Sequence, residues 1–86
     1  MLPFRTEIRN TPQEQTVKVF IAETACDKEC RDLLQTIEGV REVEIRETID
    51  RNRVEENLTV YRKEGVDINN LKKLIEYTLD QHFAYS

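Results

Sequence analysis

The stretch "TVKVFIAETACDKECRDLLQTIEGVREVEI", Thr16 to Ile45, changes its hydrophobic period twice, and the fold follows from those changes. Val17, Val19 and Ile21 alternate with Lys18, Phe20 and Ala22, and this period of two in β-branched residues predicts a strand over 16–23. Phe20 makes the strand apolar on both sides at its middle, as suits a central strand. Beyond Thr24 the spacing becomes helical, with Cys30, Leu33, Leu34 and Ile37 forming one apolar stripe of a helix over 26–38. Gly39 follows the last periodic residue and is suited to a left-handed cap. Alternation then returns in "REVEIRETI" (41–49), where Val43, Ile45 and Ile49 oppose Glu42, Glu44 and Arg46.

Working outward, "DRNRVEEN" is charged and turn-prone, and "LTVYRK" (58–63) resumes alternation through Leu58 and Val60. These segments predict an antiparallel hairpin with a long polar tip. Asp67 is suited to cap a second helix, in which Ile68, Leu71, Leu74, Ile75, Thr78 and Leu79 recur at helical spacing over about three turns. "HFAYS" reads as a short closing edge strand. Residues 1–15 form an arm in which Pro12 interrupts regular structure. Phe4, Thr6 and Ile8 alternate there with Arg5, Glu7 and Arg9, so the arm is either frayed or a short extra strand. The expected fold class is α+β over 16–86, a ferredoxin-like βαββαβ sandwich with two helices on one face of a four-stranded antiparallel sheet. Its other face, carrying Lys18, Glu42, Glu44, Arg46, Thr59, Tyr61 and Lys63, is expected to meet water.

A chain of 86 residues has room for one two-layer core. With 17 acidic against 13 basic residues and a net charge of -4, it lacks the basic footprint of a nucleic-acid binder. No apolar run is long enough to span a bilayer, and "MLPFRTEIRN" lacks the apolar segment of a secretory signal, so a cytoplasmic location is expected. Two cysteines in a reducing compartment argue against a disulfide framework. "NLT" (57–59) lies in a strand-like stretch and reads as a chance sequon. No nucleophile–base pair or Gly-rich phosphate loop supports an enzyme.

This order of elements, with both cysteines at the first strand–helix turn, resembles the heavy-metal-associated domain of copper chaperones and metal-transporting ATPases. "TVKVFIAET" looks like that family's first strand, and "LLQTIEGVREVEI" (33–45) like its helix end and second strand. "LKKLIEYTLDQHFAYS" looks like its last helix, loop and final strand. Glu23, Thr24 and Ala25 stand where the family's Gly-Met-x-Cys-x-x-Cys motif has its lead-in, and the spacing here is Cys-x-x-x-Cys. The resemblance implies a metallochaperone or metal-sensing domain holding a soft ion, Cu(I) or Zn(II)/Cd(II), through Cys26 and Cys30. It implies His82 as a third ligand in the loop before the last strand, shielded by Phe83 or Tyr85. The implied partner is a metal-transporting ATPase or another metal acceptor, with the domain a monomer or weak dimer and thiolate exchange as the mechanism.

The residues themselves leave three readings open. Thiolates select soft ions, and a helix N-terminus lowers thiol pKa, which favours a metal clip. Glu23, Asp27 and Glu29 around the thiols favour a harder divalent ion over Cu(I), and Asp27 is itself a candidate ligand; acids are also favoured in a first helical turn for their own sake. His82 is equally suited to a helix C-terminus, where the macrodipole favours it. Alternatively Cys30 is a small hydrophobe on the stripe, and the domain is an interaction or regulatory module without a metal. A thiol-redox pair fits least, because the spacing is not Cys-x-x-Cys and both prolines lie upstream of it. The metal reading predicts that Cu(I) or Zn(II) titration followed by native mass spectrometry gives one ion per chain, lost in Cys26→Ser. Equal weak binding by wild type and the double serine variant would sink it.

Overall fold

A computed structural model describes residues 4–21, 27–50 and 53–84. The elements are β1 (Phe4–Asn10), β2 (Gln15–Ile21), α1 (Asp27–Gln35), β3 (Val40–Asp50), β4 (Arg53–Arg62) and α2 (Ile68–Ala84). The four strands form one antiparallel sheet in the order β1-β2-β4-β3.

Register explains the core. Phe4, Thr6 and Ile8 on β1 stand opposite Ile21, Val19 and Val17 on β2. Val17 and Val19 in turn face Val60 and Leu58 on β4, which face Val43 and Ile45 on β3. One face of the sheet is therefore apolar from edge to edge, since side chains alternate between faces with period two. Both helices pack on it, α2 against β1 and β2 and α1 against β3 and β4. Leu34 from α1, Leu58 from β4 and Leu71, Ile75 and Leu79 from α2 are fully buried there. Each contributes about 1.5–3 kcal/mol of apolar burial.

The cap at Asp67 acts as the sequence predicts, whereas α1 ends at Gln35 rather than 38, so Gly39 shapes the turn into β3 instead of capping the helix. The amide of Asn70 donates to Asp67 Oδ2 at 3.0 Å, which starts α2. Gly39 has φ +99 in the turn after α1, and its carbonyl accepts from the Lys63 amide at 2.8 Å. A side chain there would adopt a strained backbone and press on Val66 at 3.4 Å.

The layout is the ferredoxin-like α+β sandwich, with β2 and β4 central, but one edge is filled from the other end of the chain. Residues 82–84 of "HFAYS" continue α2, which runs 17 residues, nearly five turns rather than three. The physical reason is the spacing Ile75, Leu79, Phe83, which extends the buried stripe by one more turn. The edge position beside β2 belongs instead to β1, joined to it by a hairpin turn in which Thr11 Oγ1 donates to the Glu14 carbonyl at 2.7 Å. The long polar tip expected between β3 and β4 is also shorter. Pairing runs on to Asp50 opposite Arg53, so the hairpin extends beyond the last β2–β4 pair, Phe20 and Asn57, as a two-stranded ribbon.

β1 is anchored to α2 twice. The Phe4 and Phe83 rings stack with centroids 6.0 Å apart. The Thr6 hydroxyl donates to Glu76 Oε1 at 2.8 Å, an oxygen that also accepts from Lys72 Nζ at 2.6 Å. Lys72 first and then Thr6 hold the Glu76 carboxyl below its ordinary range. Its contribution to stability is thus present at neutral pH and lost as pH falls through that lowered value. Phe4→Ala should lower the stability to urea by about 3 kcal/mol, because it leaves a cavity under α2. An unchanged urea midpoint would mean that β1 contributes nothing to the fold.

Candidate functional site

Two places hold the chemistry-bearing residues. At the first, α1 begins at Asp27 and carries Cys30 one turn in. Cys30 is fully buried and belongs to the core with Leu34 and Leu79, as the small-hydrophobe reading of its stripe expects. Cys26, the other proposed clip residue, lies outside the described residues, as do Glu23, Thr24, Ala25 and Tyr85.

His82 lies on the last turn of α2 rather than in a loop before a strand. Its Nε2 is 4.0 Å from Glu29 Oε1 on α1, and its ring meets Phe83 edge-on with centroids 5.2 Å apart. The end of α2 is thus brought to the first turn of α1. Glu29 is exposed, so protonation of His82 would form at most a weak, solvent-screened pair. Among the described residues no group of three His, Cys, Asp or Glu side chains converges for a metal.

The second place is the bare face of the sheet. Because β1 is in register with β2, Arg5, Glu7 and Arg9 stand opposite Phe20, Lys18 and Thr16 on this side. Lys18 is followed across the sheet by Thr59 and then Glu44, and Thr16 by Tyr61 and then Glu42. Charges here are paired along single strands. Glu7 accepts from Arg5 at 2.7 Å and Arg9 at 2.5 Å, and Glu44 accepts from Arg46 at 3.0 Å. Arg46 also donates to the Tyr61 hydroxyl at 3.1 Å, and Arg41 reaches Glu14 at 3.0 Å. Two guanidiniums lie over aromatic rings, Arg5 on Phe20 at 4.3 Å and Arg41 on Tyr61 at 5.3 Å.

Lys18 stands between these pairs without a carboxylate of its own among the described residues. Its ammonium donates to Asn57 Oδ1 at a long 3.3 Å. Burial, then Arg46, then Arg9 push its pKa below the ordinary lysine value. Thr16, Asn57 and Thr59 on this face are buried, so Thr59 does not meet water as its position in the sequence suggests. The Thr59 hydroxyl is buried without a hydrogen-bond partner among the described residues. A groove of about 450 Å³ opens over this row, its walls formed by Arg9, Glu14, Lys18, Arg46, Thr59 and Tyr61.

Arg9 and Thr16 were not singled out from sequence. The available signal was the alternation Arg5-Glu7-Arg9, which becomes meaningful only once β1 is known to pair with β2. Fold and face together define a small α+β domain of ferredoxin-like layout whose sheet is bare on one side. No protein-family model, curated protein or solved structure gives a significant match to the chain. Among the described residues no helix is long and apolar enough to cross a membrane.

The burial of Cys30 has a direct readout. In Cys26→Ala, iodoacetamide should leave native Cys30 unmodified under conditions where the urea-unfolded chain reacts fully, as read by intact mass. Equal reaction rates for the two states would place the thiol at the surface.

Proposed function

We propose that the protein is a small interaction module that docks a protein partner on the bare face of its sheet. The observation that carries this reading is the pair of arginine-covered aromatics, Phe20 beneath Arg5 and Tyr61 beneath Arg41, on a face that neither helix covers. Aromatic and arginine side chains dominate the energetics of protein interfaces, because they bury large rigid areas and donate directed hydrogen bonds. Strands also present them at fixed spacing, so a partner meets a prepared surface with little ordering cost. Docking proceeds by displacement of water from Tyr61 and Phe20, while the charged rows around them set orientation.

A second reading is favoured by the approach of His82 to the first turn of α1, where its Nε2 lies 4.0 Å from Glu29. In that reading the cysteine turn holds one soft ion with His82 at its side and passes it to a metal acceptor. Glu29 would then orient the imidazole, as carboxylates near metal-bound histidines do.

Immobilised protein challenged with its native lysate separates the two. The docking reading expects a bound protein that is retained by Cys26→Ser and reduced about tenfold or more by Tyr61→Ala, a loss typical of a central interface aromatic. Retention by Tyr61→Ala together with loss in Cys26→Ser would overturn it in favour of the metal site.

A further inference from the structure

The groove over Lys18 has features that a flat docking face does not require. Its floor is Thr59, 4% exposed, whose hydroxyl has no hydrogen-bond partner among the described residues, although buried polar groups are ordinarily paired. Its walls carry Arg9 and Arg46 from the two edge strands of the sheet, with Lys18 between them. Among the described residues Glu7 is engaged by Arg5 and Arg9, Glu44 by Arg46 and Glu14 by Arg41, while Glu42 stands beside Tyr61 at the far end of the row. Lys18 has no carboxylate partner of its own among the described residues, and it stands between Arg9 and Arg46 at the centre of the groove. It belongs to a chain whose net charge is -4.

We infer that this groove binds the phosphate group of a small phosphorylated molecule. Each guanidinium has five N–H donors, so Arg9 and Arg46 retain donors after pairing with one carboxylate each. Guanidiniums, an ammonium and hydroxyls arriving from different strands match the several oxygens of a tetrahedral anion better than the two of a planar carboxylate. The volume of about 450 Å³ falls within the range of small-molecule sites and exceeds what a bare ion fills. The 3.3 Å bond from Lys18 to Asn57 is long for its type, so the ammonium is readily released toward an incoming oxygen. That turn of Lys18 uncovers its cross-strand neighbour Thr59, whose hydroxyl then donates to the same group. The site stands independently of whether a protein docks on the rest of the face.

The test is an NMR titration of the full chain with glycerol 3-phosphate and, separately, inorganic phosphate. The expected result is saturable amide shifts at Lys18, Thr59, Arg46 and Tyr61, with the ester binding more tightly than the free ion. Lys18→Met should weaken ester binding about tenfold or more, as loss of a charge-assisted contact does. Thr59→Val should weaken it about fivefold while leaving the thermal midpoint unchanged or raised, since it removes an unpaired buried hydroxyl. The exposed Lys73→Met, on α2, should bind as wild type. Absence of saturable shifts, wild-type affinity in both Lys18→Met and Thr59→Val, or equal weakening by Lys73→Met would each overturn the inference. Amide spectra of the variants verify that each is folded.

Discussion

The stacking of Phe4 on Phe83 joins the first strand of this chain to the last turn of its last helix, and much of the structure depends on it. The ferredoxin-like layout needs a strand beside β2, and this chain supplies it from the N-terminus. The reason is packing. α2 continues through Phe83 because Ile75, Leu79 and Phe83 lie on one helical face, and that face needs an apolar strand beneath it. β1 provides Phe4 and Ile8, and the hairpin turn after Asn10 gives it antiparallel register at little entropic cost.

The same register builds the bare face. A strand that points Phe4, Thr6 and Ile8 inward must point Arg5, Glu7 and Arg9 outward. Glu7 then lies opposite Lys18, yet its carboxylate is taken by the two arginines of its own strand. The lysine is left between Arg9 and Arg46, half-buried and electrostatically disfavoured. Hydrophobic burial on one side of the sheet thus determines the charge pattern on the other. Beneath that pattern, Thr16, Asn57 and Thr59 are covered by longer neighbours, so the bare face has a polar interior of its own. Among the described residues the Thr59 hydroxyl finds no hydrogen-bond partner there, a local cost that buried polar groups ordinarily avoid.

Much of the fold was legible in the sequence because each signal was local. The alternation in 17–21, 43–46 and 58–60 reads correctly as strands, and Asp67 caps α2 as its position suggests. Two elements were misread where local signals compete. "HFA" alternates over three residues like a strand, but Phe83 also continues a helical stripe, and tertiary packing chose the helix. "RVEEN" is charged like a turn, but cross-strand pairing to Asp50, Ile49 and Thr48 carries it as β4. The candidate site was less legible still. Cys26 and Cys30 are both thiols near one turn in the sequence, whereas the apolar stripe that also contains Cys30 governs where its side chain goes.

By itself, then, the sequence determined the periods: the strands β2, β3 and β4, two amphipathic helices, the helix cap at Asp67 and the glycine turn at Gly39. These depend on residues within a few positions of one another, so no knowledge of distant partners is required. Only the tertiary structure decided which end of the chain closes the sheet, that Cys30 lies in the core, and that Lys18 lies between Arg9 and Arg46 next to the buried Thr59. Those outcomes depend on register between strands far apart in the chain, where a slip of one residue exchanges the two faces.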